Sequence, residues 1–477
     1  MTVTPGTPNP AATGARAEAT ALAGRLAGPV FTPGDPGYDE EIAPFNLATA
    51  HRPPFVVGAA DTDDVAQAVR FAAERGLPVG VQATGHGPVT AITDGVLIST
   101  KRMADVRIDP AGRTVTIGAG VRWADLVTAA AEHGLAPLCG SSSGVGAVGF
   151  TLGGGLPVLG RTFGFAADHV HSFEVVTADG AIRHVDADHE PELFWGMRGG
   201  KGNFGIVTVM TIDLVPVPRL YGGAIFYPGE AAPAVLEAYR DWAPGLPETT
   251  CTSLSLLRLP PIPEIPEPLR GQFVVHLRVA LTGDAAEGER LVAPMRAAAP
   301  AMIDAVAEMP YTAIDSIHQD PVHPTPAYER STMLRDLTPQ VVQTLLDVAG
   351  PGVETPVLMV ELRQLGGALA REPEVPNAVG GRDAGFALFV VGVLAPPIAA
   401  IVPRAVDATV AAFAAESTGR TFVNMHGVPG DDADRGRPWP AATYRRLQEL
   451  KARYDPEQTF RFGHAIPPHA PLVPEQR

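Results

Sequence analysis

Residues 138–155 read LCGSSSGVGAVGFTLGGG, and this stretch decides the fold. Seven of its 18 residues are glycine, which costs backbone entropy that a globular chain tolerates where its main chain must approach something closely. Backbone N–H groups that face outward suit a phosphate or a pyrophosphate. The stretch therefore predicts a phosphate cradle for a cofactor, with a glycine-rich structural loop as the alternative.

Two catalytic motifs also match this stretch by letter. Residues 140–144 fit G-x-S-x-G, the nucleophile elbow of a serine hydrolase, with Ser142 as the nucleophile. Residues 144–149 fit G-x-G-x-x-G, the dinucleotide fingerprint. Both motifs need a strand before and a helix after, whereas LAPLC precedes and FTLGGG follows. Both interpretations stay open at this point.

Composition narrows the class of protein. The chain of 477 residues is long enough for two or three domains, and its net charge of −16 disfavours nucleic acid and anionic membranes as partners. Two cysteines, Cys139 and Cys251, make neither a disulfide framework nor a zinc site, which predicts the reducing cytoplasm. We expect no metal site, and neither a signal peptide nor a membrane span is visible.

A single histidine stands in a glycine-rich turn further upstream. A predicted helix over 61–76 and a strand over 77–83 lead into Thr84-Gly85-His86-Gly87-Pro88. The flanking glycines clear space around the imidazole, as a site for a large ligand requires. An ordinary turn histidine and a metal ligand are the alternatives, although no second ligand follows at zinc-like spacing.

The remaining pattern predicts two kinds of architecture. A hairpin over 172–185 and a second glycine-rich turn at 199–205 precede a strand over 206–215. From about 218 to 419, longer strands alternate with amphipathic helices, which predicts a mainly antiparallel sheet backed by helices. A short strand over 421–424 and a helix over 441–454 then complete the chain.

Five motifs, taken in order, resemble the berberine-bridge-enzyme-like (BBE-like) FAD-linked oxidases of the vanillyl-alcohol-oxidase / PCMH-type FAD-binding superfamily. They are VQATGHG at 81–87, residues 142–155, GFAAD at 164–168, RGG and GNFGIV at 198–207, and FVN at 422–424. The resemblance implies an α+β fold. A PCMH-type FAD-binding domain would cover 1–217 and be completed by 420–477, and an α/β substrate domain with an antiparallel sheet backed by helices would cover 218–419.

The same resemblance implies covalently bound FAD. His86 matches the histidine that bonds to the 8α-methyl group of the flavin, Ile206 and Val207 would lie near the adenosine half, and Asn424 would face the isoalloxazine. The implied cofactor-binding residues are His86, Thr84, Gly85, Gly87, Ser142, Val145, Gly146, Gly149, Gly154, Ile206, Val207 and Asn424.

Three positions depart from the family or distinguish its members. Ser142 occupies the position at which many members carry a second, cysteinyl link, so a single bond through His86 is expected. Val145 matches the small valine of oxygen-using members, which favours an oxidase over a dehydrogenase. Phe422 replaces the tyrosine that serves as, or lies beside, the catalytic base.

Hydride transfer from an alcohol or amine to a flavin also needs a proton acceptor. Glu361 and Arg363 share one face of a predicted strand, and burial would raise the pKa of the Glu361 carboxyl towards neutrality. A Glu–Arg pair that stabilises the sheet is the alternative. His426, two residues beyond Asn424, and Tyr311 are further candidates for the catalytic group.

These observations predict an FAD-dependent oxidase. It would transfer a hydride from an alcohol, amine or related C–H of a small organic substrate to the flavin, and O2 would reoxidise the flavin to give H2O2. A role in secondary metabolism follows only at the level of the family. A serine hydrolase and a flavin-binding protein with little catalysis are the competing hypotheses.

Overall fold

The computed structural model describes residues 10–87 and 89–469, with side chains from residue 14 onward. Both ends of the predicted FAD-binding domain and Pro88 of the histidine turn lie outside the described residues.

A four-stranded sheet in the order β1-β2-β4-β3 carries the histidine turn. Its strands and the helices beside them are α1 Pro10–Ala23, β1 Val30–Phe31, α2 Tyr38–Ile42, β2 Phe55–Gly58, α3 Thr62–Ala73, β3 Val79–Gln82 and β4 Val96–Ser99. The Asp61 carboxylate caps α3 by accepting from the backbone N–H of Asp64, at 2.9 Å. Val65 and Val69 bury one face of this helix, so the predicted helix is confirmed.

The central glycine-rich stretch packs against the next sheet, which has five strands in the order β5-β6-β9-β7-β8. Its elements are β5 Val106–Asp109, β6 Thr114–Gly118, α4 Trp123–Ala131, α5 Ala147–Leu152, α6 Gly160–Phe163, β7 Val170–Val176, β8 Ile182–Asp186, α7 Pro191–Met197 and β9 Ile206–Asp213. The predicted hairpin is β7 and β8, and the predicted strand after the second glycine-rich turn is β9.

A larger, fully antiparallel sheet follows, in the order β13-β10-β12-β11-β16-β17-β15, and β14 also pairs with β10. Its elements are β10 Arg219–Pro228, α8 Ala232–Trp242, β11 Thr250–Arg258, β12 Phe273–Leu281, α9 Ala285–Ala298, β13 Ile303–Asp304, β14 Ala307–Pro310, α10 Asp315–His318, β15 Ala327–Leu334, α11 Pro339–Ala349, β16 Met359–Gln364, β17 Phe386–Val393 and α12 Val402–Ala411. The apolar residues of alternate strand positions pack against α8, α9, α11 and α12, so the prediction of an antiparallel sheet backed by helices is confirmed.

The C-terminal segment differs from the prediction in one place. The predicted strand over 421–424 is wrong, because Val423–Met425 forms a single 3-10 turn that brings Asn424 against the end of α5. The segment then continues into α13 Asp432–Gly436 and α14 Ala441–Tyr454, the second of which has the predicted bounds.

One apolar core joins three parts of the chain. It contains Phe173 and Met210 of the five-stranded sheet, Ile314 from the region after β14, and Leu447 of α14. The change of sheet between Asp213 and Arg219 lies where the domain boundary is predicted, and the division into domains remains a prediction. Within the described ranges, no helix is long and apolar enough to cross a membrane.

Candidate functional site

His86 lies in a recess just beyond the end of β3. Its ring stacks on Phe45 with 3.9 Å between ring centroids, and Nδ1 lies 2.8 Å from Thr84 Oγ1. The other ring nitrogen is buried and has no hydrogen-bond partner among the described residues. Burial, assisted by the charge of Arg122, lowers the pKa of His86 to about 4. The imidazole is therefore neutral at pH 7 and keeps a nitrogen lone pair.

The glycines of the central stretch leave open space beside this ring. A Cβ atom placed on Gly144 would lie 3.9 Å from His86 Nε2 and 3.7 Å from Ser142 Oγ, and one on Gly87 or Gly149 would meet nothing within 4 Å. The Gly146 N–H donates to Thr84 Oγ1 at 3.3 Å, which ties the stretch to the histidine turn. The predicted neighbours of His86 are thus together, with room for a large ligand.

A second polar group lies at the far end of α5. The Asn424 side-chain N–H donates to the Phe150 carbonyl at 2.8 Å, which turns its Oδ1 the other way, where it is buried without a partner in the described chain. A Cβ atom on Gly153 would lie 2.0 Å from this oxygen and 2.9 Å from Lys201 Cε. Any side chain at position 153 would therefore displace Asn424 or Lys201.

These two ends fit a flavin. Gly146 and Gly153 flank the six residues of α5 and lie about 10 Å apart along its axis, comparable with the length of three fused six-membered rings. The neutral His86 nitrogen would be available at one end for the 8α-methyl group. The unpartnered Asn424 Oδ1 at the other end could accept from the N3–H of the pyrimidine ring. An isoalloxazine bound between these two residues would provide partners for both unpaired atoms, the His86 ring nitrogen and the Asn424 Oδ1.

The other predicted cofactor residues contribute backbone. Gly85 has φ of 68° and a Cβ there would lie 2.6 Å from Pro44, so only glycine fits. Gly154, with φ of 94°, packs against Val379. The side chains of Ile206 and Val207 are buried in protein at the start of β9. β6 pairs with β9 only as far as Gly118–Val209, whereas Ile206 and Val207 pair with Val176 and Val175 of β7.

One face of the large antiparallel sheet carries a row of mainly polar residues. The strand register aligns Ser331, Phe389, Glu361, Ser255 and His276 across five neighbouring strands. Alternate residues such as Val360 and Leu362 point into the helix-covered core.

Glu361 is locked between two arginines. Its carboxylate accepts from Arg278 at 2.9 Å and from Arg363 at 3.0 Å, and it is 1% exposed. Burial pushes its pKa upward, but the charges of Arg363 and Arg278 outweigh burial and hold the pKa below its ordinary value. The expectation of a raised pKa is therefore wrong, and Glu361 is an ionised carboxylate at neutral pH.

Sequence reasoning missed the neighbours of Glu361. Arg278 and His276 lie on β12, and His318 lies on α10 with Nδ1 3.8 Å from the Glu361 carboxylate. Burial lowers the pKa of both histidines well below the ordinary value, and their Nδ1 atoms have no partner in the part of the chain that the structure describes. The alternation of VVHLRVAL on β12 would have placed His276 and Arg278 on one face.

The structure does not bring His426 or Tyr311 to this row. His426 lies beside Asp434, with 3.6 Å between Nε2 and Oδ2, and burial lowers its pKa to about 4. The Tyr311 hydroxyl lies in the shared core, where it donates to the Pro137 carbonyl, and burial raises its pKa well above 10. This burial separates Tyr311 from the row around Glu361 and does not favour a catalytic role, and its choice as a catalytic group stays a prediction.

The secondary structure around the central stretch excludes both sequence motifs that it matches, the nucleophile elbow and the dinucleotide fingerprint. Residues 137–145 form no strand, and the helix that follows, α5, is six residues long. Neither the strand–turn–helix of a nucleophile elbow nor a Rossmann βαβ unit is present. Within the described residues, the Ser142 hydroxyl has no hydrogen bond to a histidine.

A group of side chains suited to a cation lies elsewhere. His184, Asp186 and His189 place one ligand atom each within 4.8 Å of one another. Both histidines are exposed and donate or accept within the group, and Asp186 also accepts from the backbone of 188 and 189. These contacts account for the arrangement by themselves.

Comparison with known proteins agrees with this geometry. Residues 53–186 match a family model described as FAD binding domain, and residues 439–467 match one described as berberine and berberine like. YvdP of Bacillus subtilis, an uncharacterized FAD-linked oxidoreductase, is 29% identical over 461 residues, which cover 93% of this chain and 99% of that protein.

Two characterised proteins are also similar. (R)-6-hydroxynicotine oxidase of Paenarthrobacter nicotinovorans is 33% identical over 234 residues, which are 49% of this chain and 48% of the relative. Glucooligosaccharide oxidase of Acremonium strictum, whose FAD is described as 6-S-cysteinyl, 8α-N1-histidyl, has a TM-score of 0.81 at 21% identity. The match covers 95% of this chain and 100% of the other, and it establishes the fold.

The FAD-binding family model and the full-length similarity to an FAD-linked oxidoreductase identify the chain as an FAD-linked oxidoreductase, and its α+β fold is of the PCMH type. Its C-terminal segment is similar to the berberine-bridge-enzyme-like members of this class.

Proposed function

We propose that the protein is an oxidase with FAD bonded to His86. It would take a hydride from an alcohol, an amine or a related C–H of a small organic substrate, and O2 would reoxidise the flavin to H2O2. The observation that carries the proposal is the neutral His86 ring, with one buried and unpartnered nitrogen beside the glycine backbone at Gly144. A cytoplasmic location and a role in secondary metabolism remain predictions.

The flavin supplies the redox chemistry, and the protein residues supply position and electrostatics. Thr84 Oγ1 holds one ring nitrogen of His86 and the Gly146 N–H at once, so it orients the imidazole towards the central stretch. The neutral ring would supply the lone pair for the bond to the 8α-carbon. The 8α-methyl group would lose a proton, the ring system would take up the two electrons of the broken C–H bond, and O2, the proposed acceptor, would reoxidise it. With serine at 142, this chain has no sulfur there for a second bond, so one linkage is proposed.

The row around Glu361 is the proposed substrate face. The ionised Glu361 carboxylate can accept a hydrogen bond or a proton, but Arg278 and Arg363 make it a weak base. The unpartnered nitrogens of His276 and His318 can bind polar groups of a substrate. Glu361 and Arg363 therefore remain the proposed substrate-contacting residues, and orientation is the role that their ion pairs favour.

An absorbance spectrum before and after acid denaturation tests the proposal. The purified protein should be yellow, and the colour should precipitate with the polypeptide. Flavin that is fully released into the acid supernatant would remove the covalent part of the proposal, and a colourless protein would remove FAD binding altogether.

Val145→Leu tests the choice of oxygen as the acceptor. The side chain of Val145 is partly buried against the core while its carbonyl accepts from the Trp123 N–H at 3.0 Å, so the backbone should stay in place. The extra methylene should narrow the path of O2 to the flavin. We expect reoxidation, followed by stopped-flow absorbance after anaerobic reduction, to slow about tenfold or more. An unchanged oxygen rate, with dithionite reduction as the control for flavin content, would remove the reason for preferring an oxidase.

A flavin-binding protein with little catalysis is the second candidate. Its support is the absence of a phenol at Phe422, which packs against Phe165 with 5.5 Å between ring centroids. Flavin that is photoreducible but unreactive towards panels of alcohols, sugars and amines would favour this candidate.

A further inference from the structure

Lys201 has an unusual backbone conformation for a lysine. It lies between Gly200 and Gly202 in the turn before β9, and its φ is 60°, in the left-handed region. A side chain there costs roughly 1 kcal/mol that glycine would avoid. The chain nevertheless places a lysine at this point, and its Cε atom lies 2.9 Å from the Cβ position of Gly153, next to Asn424.

The ammonium group of Lys201 has no counter-ion in contact among the described residues. Its side chain is partly accessible, yet surrounding protein lowers its pKa to about 8. Glu329 of β15 supplies the one opposing charge that acts on it, and the two groups form neither an ion pair nor a hydrogen bond within the described residues. Burial raises the pKa of Glu329 to about 7 while Lys201 opposes that rise.

The other charged or titratable groups nearby do not neutralise Lys201. His464 is buried and donates its ring N–H to the Gly427 carbonyl, and its pKa is well below the ordinary value because of burial and the charge of Lys201. His426 is neutral as well, with its pKa near 4. Arg330 turns away to Asp407, at 3.0 Å. A partly buried ammonium without a hydrogen-bond acceptor costs free energy, so a ligand that accepts its hydrogen bonds would stabilise the protein here.

We infer that Lys201 binds the carbonyl edge of the FAD pyrimidine ring and stabilises the negative charge that this ring gains on reduction. The inference rests on the FAD binding of the proposed function. Two adjacent groups would bind this edge of the pyrimidine ring. The Asn424 Oδ1 would accept a hydrogen bond from N3–H, and the Lys201 ammonium would donate one to the neighbouring carbonyl oxygen. Such a donor–acceptor pair matches an imide, in which an N–H lies between two carbonyls.

The role of Lys201 follows from the charge that the flavin ring gains when it accepts a hydride. A hydride carries two electrons and one proton to flavin N5, so an initially neutral ring becomes an anion whose charge spreads over N1 and the C2 carbonyl. A fixed ammonium at that edge stabilises the anion more than the oxidised ring, and this raises the affinity of the flavin for electrons. Glu329 acts as the distant counter-charge of Lys201 while the ring is oxidised.

Sulfite binding tests the inference without any substrate. The sulfur lone pair of sulfite forms a bond to N5 and places negative charge in the ring, and loss of the flavin absorbance reports the adduct. Lys201→Met should raise the Kd for sulfite about tenfold to a hundredfold, as expected for a hydrogen bond to a charged group. The two-electron midpoint potential should fall by about 30 to 60 mV, which is the same factor.

Three variants control this experiment. Lys201→Gly removes the charge and also the left-handed strain, so agreement with Lys201→Met would exclude misfolding as the cause. Arg435→Met removes a nearby cation that instead donates to the Ala465 carbonyl, at 3.3 Å, and should leave the Kd within threefold. Glu329→Gln removes the opposing charge and should tighten sulfite binding.

The outcomes separate the two proposals. A yellow wild-type protein together with an unchanged Kd and an unchanged potential in both Lys201 variants would overturn the role of Lys201. A wild-type protein without flavin would instead overturn the proposed function on which it rests.

Discussion

We expect His86→Ala to abolish the proposed covalent attachment: the fraction of flavin that precipitates with acid-denatured protein should fall from nearly all to none. The imidazole is neutral and holds one nitrogen without a partner, so it supplies the lone pair that forms the bond, and alanine offers no replacement. Glycines around the recess and the backbone at Gly146 remain, so the variant should still bind FAD reversibly. The measurement is the absorbance of pellet and supernatant after acid precipitation.

Ser142→Ala is the matched control for this result. The Ser142 hydroxyl lies as close to the Gly144 Cβ position as the His86 ring does, at 3.7 Å against 3.9 Å. If His86 forms the only bond, Ser142→Ala keeps the covalent fraction of the wild type. Covalent flavin that survives in His86→Ala would assign the link to another residue and contradict the proposed function.

Lys451→Met should lower the free energy of unfolding by about 3–5 kcal/mol, the cost of leaving a buried charge without its partner. Lys451 and Asp455 are both fully buried, with 2.6 Å between Nζ and Oδ2. The ammonium also donates to the carbonyls of Asn203 and Phe460, so one side chain joins α14 to the turn before β9 and to the C-terminal segment. The measurement is denaturant unfolding followed by circular dichroism.

Arg446→Met provides the comparison on the same helix. Arg446 pairs with Glu192 at 2.6 Å, but both side chains are about half exposed, and such pairs contribute about 1 kcal/mol or less. Equal losses in the two variants would show that burial of the Lys451–Asp455 pair does not set its contribution.

The sequence predicted those helices and turns whose determinants, such as a helix cap or an apolar spacing, lie within the segment itself. Asp61 and the apolar spacing of 65 and 69 fixed α3, and the motif order placed His86, Thr84 and Gly146 in one recess. The prediction of a strand over 421–424 is wrong because the Asn424 side chain holds this segment against the Phe150 carbonyl, 274 residues away in the sequence. No strand pattern within four residues carries that information.

The chemistry of the sheet face was less predictable for the same reason. Burial alone would raise the pKa of Glu361, but Arg278 lies 83 residues away in sequence and reverses the direction. Lys201 and Glu329 lie far apart in the sequence, and only the tertiary fold brings their charges within range of each other. Their types were visible in the sequence, while the distance between them depends on tertiary structure.

The shared apolar core bears on how the protein unfolds. Phe173, Ile314 and Leu447 come from parts that are far apart in the chain, yet they belong to one continuous cluster. Unfolding any one of these parts exposes apolar surface of the other two. A partly unfolded state is therefore hardly more stable than the fully unfolded state and should not accumulate. We therefore expect a single cooperative heat-absorption peak, and fragments cut at the sheet boundary should not fold independently.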